Sequence, residues 1–261
     1  WGYSMFYYVA ASNHCHPNYV QALLDHHTLS IKSVNEILDK IEEEKKLLFD
    51  KSYIEELYYE YQKEQCDDSE DKRKLVSVLK DKDILILGPG STLKSESSQI
   101  SQYIKEKKPL LLSINFIPDD FDVDYVFLSN PRRYIRLMHA LKEKRNSNVE
   151  IIATSNVTKA KGKFSYTLNN SSLLDKDAAV MDYSFVMLLK ALKGIGINKV
   201  SCVGLDGYSE EQPNYASKDM EYWFAKRNAA LLNQYVTEFL KSIESEMQVS
   251  FITTTFYREK E

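Results

Sequence analysis

The chain has 261 residues, a net charge of −4 and a calculated pI of about 5.8. Because nucleic acids present a polyanionic backbone, this balance argues against a general nucleic-acid-binding surface. The longest apolar runs have the length of β-strands, so no membrane span is expected. Three cysteines without CxxC spacing indicate neither a disulfide framework nor a cysteine zinc site, and a reducing cytoplasm is the expected location.

Residues 1–66 carry helical patterns. Ser33 and Glu36 have the spacing of a capping box, which begins a helix with Ile37 and Leu38 on its apolar face. A second helix is predicted from Tyr53 to Gln65. We therefore expect a small helical domain here.

The pattern changes after a polar segment, and a linker is predicted over 67–80. From 81 to 261, β-rich runs that are apolar on both faces alternate with helical patterns. This alternation predicts an α/β domain of Rossmann-like fold, with a mostly parallel sheet flanked by helices. The predicted strands are Ile84–Leu87, Leu110–Ile114, Tyr125–Leu128, Glu150–Ala153, Lys199–Val203 and Val249–Thr253, and the predicted helices lie near Ser97–Lys107, Arg132–Lys144, Asp182–Lys193 and Lys218–Glu246.

The first predicted strand runs into a glycine-bearing loop. Ligands of open α/β sheets bind outside the carboxyl ends of the strands, where Gly88 and Gly90 would allow close backbone approach. Ser91 or Thr92 could cap the next helix and leave its N–H groups facing a phosphate. The third glycine of a dinucleotide fingerprint and the lysine of a P-loop are absent, so neither NAD nor a P-loop ATP site is expected. A sharp turn without a ligand is the alternative.

Three further strands end on asparagine, at Asn115, Asn130 and Asn156. An amide both donates and accepts hydrogen bonds, so the three together predict a polar ligand cleft, although asparagine is also common in turns. Arg132 and Arg133 follow Asn130 and could reach a phosphate or remain as surface charge.

The strand ends read GPGSTLK, SINF, VFLSNPRRY, IIATSN and INKVSCVGLDGY in chain order. This series resembles the bacterial sialyltransferase-like Rossmann superfamily, whose members use CMP-sugar donors and whose relatives include pterin pyrophosphokinase-like proteins. The resemblance covers about residues 82 to 255. It implies a nucleotide site lined by Gly88, Gly90, Ser91, Asn115 and Asn130, with Asp206 at the edge of the cleft.

The chain departs from that superfamily in its catalytic base. Those sialyltransferases rely on a histidine after the GxDxY strand, whereas the corresponding segment here contains none. Asp206, Tyr208, Glu210 and Asp219 are the candidate replacements, since a general base must reach the acceptor proton. Asp206 could equally bind a ligand hydroxyl, help to hold a metal or cap the following turn.

The segment YYVAASNHCHPNYVQALLDHHTLSIKSVNEILDKI is similar to the helical region that follows the TIM barrel in pyruvate-aldolase-like proteins. These belong to the HMG-CoA-lyase-like group, often called 4-hydroxy-2-oxovalerate aldolases. The resemblance implies the C-terminal part of a longer lyase, with an upstream TIM barrel as partner. No metal site is expected, although His14 and His16 could share an ion if the chain were extended there.

Three functions follow as expectations. The first is a nucleotide- or nucleotide-sugar-binding domain of an aldolase-type protein, with CMP or a phosphosugar as ligand. The second is a CMP-sugar-dependent glycosyltransferase with a base other than histidine. The third is a non-catalytic interaction or dimerisation module, with a homodimer left open.

Overall fold

The computed structural model describes residues 36–42, 60, 63–64, 66–157, 163–175, 178, 180–217, 220 and 223–258. Seven strands form one sheet in this part of the chain. They are β1 (Ile84–Leu87), β2 (Leu110–Ile114), β3 (Tyr125–Leu128), β4 (Glu150–Thr154), β5 (Tyr166–Leu168), β6 (Lys199–Val203) and β7 (Gln248–Phe251).

The order in the sheet is β5-β4-β3-β2-β1-β6-β7, and each neighbouring pair is parallel. This confirms the Rossmann-like α/β fold. The helices that flank the sheet or join its strands are α1 (Ser69–Leu79), α2 (Thr92–Ser95), α3 (Ser97–Lys107), α4 (Pro131–Ala140), α5 (Asn170–Leu173), α6 (Ser184–Gly194), α7 (Trp223–Arg227) and α8 (Ala229–Ile243).

Strand β1 shows why the sheet is buried on both faces. Ile84 and Ile86 belong to one core cluster, whereas Leu85 and Leu87 belong to the other. Successive side chains of a strand point to opposite faces, so a continuous apolar run requires helices on both sides. Within the described residues, no helix is long and apolar enough to cross a membrane.

The segment predicted as a linker, 67–80, contains helix α1 instead. Leu75 and Leu79 are buried in a core cluster of the α/β domain. The dense charge of this segment suggested a solvated connection, but Glu70, Arg73 and Lys74 lie on the exposed face of a helix whose opposite face is apolar.

Two acidic residues of the same segment cover the edge of the sheet. The Asp71 carboxylate accepts a 2.8 Å hydrogen bond from the Thr167 backbone N–H, and Asp68 accepts one of 2.8 Å from Asn169. An edge strand presents unpaired N–H groups that can recruit another strand. These carboxylates therefore satisfy the outer side of β5, a strand that the sequence did not predict.

The long helix predicted over Lys218–Glu246 is divided at Asn228 into α7 and α8. Apolar residues recur at helical spacing in this segment, which predicts that they form a buried stripe. Leu232, Leu240 and Ile243 are buried, but Phe224 is 45% and Leu231 40% exposed, so the stripe is wrong at these two positions.

The predicted helical domain lies mostly outside the described residues, as do His14 and His16. Residues 36–38 are helical. Ile37 and Leu38 are buried, in agreement with the predicted apolar face, and Ile41 is buried as well.

Candidate functional site

The strand order reverses between β1 and β6. The chain builds the sheet outward from β1 to β5 and then returns to add β6 on the other side of β1. Such a switch point opens a crevice at the carboxyl ends of the strands, where ligands of this architecture bind. Residues 88–92 and 204–208 form the two loops at this position.

The two loops are in direct contact. The Gly88 N–H donates to the Val203 carbonyl and the Gly90 N–H donates to the Gly204 carbonyl, both at 2.8 Å. A Cβ atom on Gly90 would lie 2.5 Å from the Gly204 oxygen and 2.5 Å from Asp206 Cγ. The glycines are therefore needed for the approach of one loop to the other.

The Asp206 carboxylate occupies the start of α2. Its Oδ2 accepts hydrogen bonds from the Thr92 N–H at 2.9 Å and from Ser91 Oγ at 3.0 Å, and its Oδ1 accepts one from Thr92 Oγ1. Asp206 and Thr92 are each only 8% exposed. The anion at this helix start is thus a side chain of the protein, where the sequence predicted a phosphate.

Burial raises the pKa of Asp206, while the hydrogen bonds from Thr92 and Ser91 act in the opposite direction. Both carboxylate oxygens are engaged, and neither borders the cavities described below. Asp206 therefore holds the two loops together. Its carboxylate does not face a ligand site in which it could act as a base.

Asn115 and Asn156 also form internal contacts. Asn115 has a left-handed backbone (φ 59°), and its side chain donates to Ser184 Oγ at 2.8 Å and accepts from the Ser129 N–H at 3.0 Å. Asn156 is buried, donates to the Ser129 carbonyl at 3.1 Å and accepts from the Thr154 hydroxyl. Both amides therefore join the ends of neighbouring strands.

Asn130 differs from these two residues because it is exposed at the start of α4. Its Oδ1 accepts a 3.3 Å hydrogen bond from the Arg133 backbone N–H. The Arg132 side chain, which the sequence placed beside it, lies outside the described part of the chain.

Two adjoining cavities open next to the switch point, with volumes of about 230 Å³ and 220 Å³. We name them lobe A and lobe B, and together the cleft. They share four lining residues, Pro89, Asn115, Arg133 and Met220. Each lobe alone is smaller than a typical ligand site of roughly 300 Å³ or more, whereas the two together reach that size.

Lobe A has a buried apolar floor and a charged rim. The floor is formed by Leu93, Phe116 and Leu137, and the rim by Lys94, Asp120 and Arg136.

Lobe B is rich in hydroxyl groups and aromatic rings. Its lining includes Tyr183, Tyr208, Tyr215, Asn130, Asp182 and Ser184.

Arg133 stands between the lobes. Its guanidinium donates to the Met220 carbonyl at 3.0 Å and lies 5.9 Å from the centroid of the Tyr215 ring. A guanidinium carries five N–H donors in a planar fork. The contact with Met220 uses one of them and fixes the side chain at the shared wall of the cleft.

Of the four predicted bases, the structure brings one to the cleft. Tyr208 lines lobe B, whereas Glu210 is exposed and lines neither lobe. Asp219 lies outside the described residues. No group of three metal-ligating side chains occurs among the residues that the structure describes.

Tyr208 belongs to a cluster of phenols. The Tyr183 hydroxyl lies 3.3 Å from that of Tyr208 and 2.8 Å from that of Tyr257. Tyr208 lines lobe B, and its hydroxyl accepts the hydrogen bond from Tyr183 within the cluster. Burial raises the pKa of all three phenols well above the ordinary value of 10. Tyr208 is therefore a neutral hydrogen-bonding group near pH 7.

These tyrosines should make the protein sensitive to alkali. Above about pH 10 the unfolded state loses phenol protons that the folded state retains, so the stabilisation present at lower pH is lost as the pH rises. We expect ultraviolet titration of tyrosinate to show one group of phenols that ionises only together with loss of the circular dichroism signal. Reversible ionisation of every tyrosine near pH 10 in a folded protein would contradict this.

Sequence reasoning missed several cleft residues, notably Asp182, Tyr183, Ser184 and Tyr215. Asp182, Tyr183 and Ser184 lie at the start of α6, and Tyr215 lies in the segment after β6, so none of them directly follows a predicted strand. The isolated bridge between Gly90 and Tyr215 brings the second of these segments over the first loop.

Comparisons with protein-family models, with curated proteins and with solved structures found no match for this chain. No family membership follows, so the geometry of the cleft is what bears on function.

Proposed function

We propose that this domain binds a small anionic ligand of the nucleotide or phosphorylated-sugar class in the cleft. The observation that carries the proposal is Arg133, a half-buried cation fixed at the wall that both lobes share. The planar guanidinium fork matches the oxygens of a phosphate in a bidentate contact. When the phosphate of a ligand lies at this wall, the rest of the ligand can extend into either lobe.

The remainder of the cleft suits the rest of such a ligand. The rings of Tyr208 and Tyr215 offer aromatic surface for a base or a sugar ring in lobe B. The Asn130 amide can donate to and accept from a base edge. Lys94 and Arg136 add positive charge at the rim of lobe A. A pyrimidine nucleotide such as CMP, a nucleotide sugar and a phosphosugar all fit this description.

The proposal is one of binding rather than group transfer. Among the bases predicted from the sequence, Asp206 is engaged by Ser91 and Thr92 and lines neither lobe, and the Tyr208 phenol stays protonated, so neither of these two supports a transfer step. The parent protein is proposed to be an aldolase-type lyase in the cytoplasm, on the sequence resemblance of residues 1–65. An interaction or dimerisation module is the second candidate. It is favoured by the internal hydrogen bonds that occupy the Asn115 amide and so keep it from a ligand.

The test is a binding panel of CMP, UMP, CMP-sialic acid, glucose 1-phosphate and inorganic phosphate. A ligand present at about one hundred times its Kd should stabilise the domain by about 2.7 kcal/mol in thermal unfolding. Arg133→Gln should weaken the binding measured by calorimetry at least tenfold, about 1.4 kcal/mol, because the bidentate contact is lost. Arg73→Gln on α1 is the matched control, since Arg73 lines neither lobe.

Wild-type protein that binds none of these probes would refute the proposal. Equal affinity in Arg133→Gln and wild type would show that the anion contact lies elsewhere. In the first case, sedimentation measurements of oligomeric state would test the interaction module.

A further inference from the structure

Asp182 is an acidic residue in the cleft to which neither the fold nor the proposed anion contact gives a role. It lines lobe B and is exposed, two residues before the first residue of α6. Within the described residues its carboxylate has no hydrogen-bonding partner and no ion pair, and the nearby Tyr235 hydroxyl donates instead to Asp175 at 3.1 Å. A carboxylate accepts hydrogen bonds and cannot donate them.

Lobe B therefore presents a carboxylate and, at its shared wall, the Arg133 guanidinium. A ligand that satisfies both groups carries an anion at one position and hydrogen-bond donors at another. A bare phosphate or an apolar phosphate ester satisfies only the guanidinium and leaves the carboxylate to repel it. Sugar phosphates have the required combination, with donors in the form of hydroxyl or amino groups.

We propose that Asp182 is a specificity-determining residue that selects ligands with hydroxyl or amino donors on the part that enters lobe B. The inference rests on the proposed function, because it takes the phosphate at Arg133 as given. Tyr183 and Ser184 follow Asp182 and also line lobe B, but their hydroxyls are engaged with Tyr257 and Asn115, so Asp182 is the acceptor that this side of the lobe offers to a ligand.

The other explanation for Asp182 is structural. A negative charge near the N-terminus of a helix interacts favourably with the helix dipole. That role would change the stability of the unliganded protein when Asp182 is replaced, but it would not make the effect depend on the ligand. The two roles therefore separate in a comparison of probes.

The experiment measures Kd by calorimetry for glucose 6-phosphate, glucosamine 6-phosphate, ribose 5-phosphate and phenyl phosphate. Phenyl phosphate has a ring and a phosphate but neither hydroxyl nor amino donors. Asp182→Ala should weaken the three sugar phosphates about tenfold and leave phenyl phosphate unchanged or slightly tighter. Asp83→Ala is the matched control, since Asp83 is an exposed acid that lines neither lobe.

Asp182→Asn distinguishes the two kinds of donor. The Asn oxygen can still accept from a hydroxyl, so part of the affinity for glucose 6-phosphate should return. Charge pairing with the ammonium group of glucosamine 6-phosphate would not be restored.

An equal loss for all four probes, phenyl phosphate included, would overturn the inference, as would no loss for any of them. In both cases binding to the wild type would still support the proposed function. If the wild type bound none of these four probes, the inference would be wrong, whereas the proposed function would still be decided by the panel of nucleotides, nucleotide sugar and phosphate described above.

Discussion

Replacing Gly90 by alanine is expected to lower the free energy of unfolding by about 3 kcal/mol, the upper part of the range for overpacking. The new Cβ would lie 2.5 Å from the backbone oxygen of Gly204 and 2.5 Å from Asp206 Cγ. Neither atom belongs to the free end of a flexible side chain, so the two loops must separate. Their separation breaks the hydrogen bond between Gly90 and Gly204.

The Gly90→Ala substitution should also change the shape of the cleft. Gly90 pairs with Tyr215, and the Ala216 N–H donates to the Pro89 carbonyl at 2.9 Å. Displacing this loop moves the Tyr215 ring and the wall that Pro89 contributes to both lobes. We therefore expect weaker ligand binding in Gly90→Ala even where the variant remains folded.

Gly194→Ala is the matched control for Gly90→Ala. Gly194 is the last residue of α6, and a Cβ there meets no atom within 4 Å. Removing the extra backbone freedom of glycine should leave stability unchanged or raise it by about 0.5–1 kcal/mol. Urea unfolding measures the stability of both variants. If Gly90→Ala were as stable as Gly194→Ala, the two loops could separate at little cost and the prediction would be wrong.

The core strands could be predicted from the sequence because burial on both faces leaves a local signal. The apolar runs of β1 and β3 coincide with their observed bounds. Strand β5 has three residues with Thr167 at its centre, too short for a pattern to emerge. Helix α1 was missed for a related reason, since Asp71 and the preceding Asp68 accept hydrogen bonds from Thr167 of β5 and from Asn169, about one hundred residues away.

The sequence predicted where in the fold the site lies, but not which residues line it. The rule that ligands bind at the carboxyl ends of parallel strands led to Asn115 and Asn130, which do line the cleft. Asp182 and Tyr215 reach the same cleft from loops whose meeting depends on the strand order. Hydrophobic periodicity contains no information about which loops meet, so these residues could not be selected from the sequence.

Replacing Asp206 by alanine is expected to destabilise the protein by about 3–4 kcal/mol, because it leaves the buried Thr92 N–H and hydroxyl without their acceptor. Asp206→Asn keeps the shape and one acceptor oxygen, so its cost should be nearer to 1 kcal/mol. Glu210→Ala, at an exposed position four residues later, should stay within about 0.5 kcal/mol of wild type.

This series also decides between the two roles of Asp206. If its carboxylate joins the loops, the loss in Asp206→Ala appears in urea unfolding of the unliganded protein, and Asp206→Asn binds the cleft ligand almost as the wild type does. If it serves the ligand instead, Asp206→Ala keeps its stability and Asp206→Asn loses affinity or turnover. The three hydrogen bonds from Ser91 and Thr92 favour the first outcome, since they hold both carboxylate oxygens at the start of α2 and Asp206 lines neither lobe of the cleft.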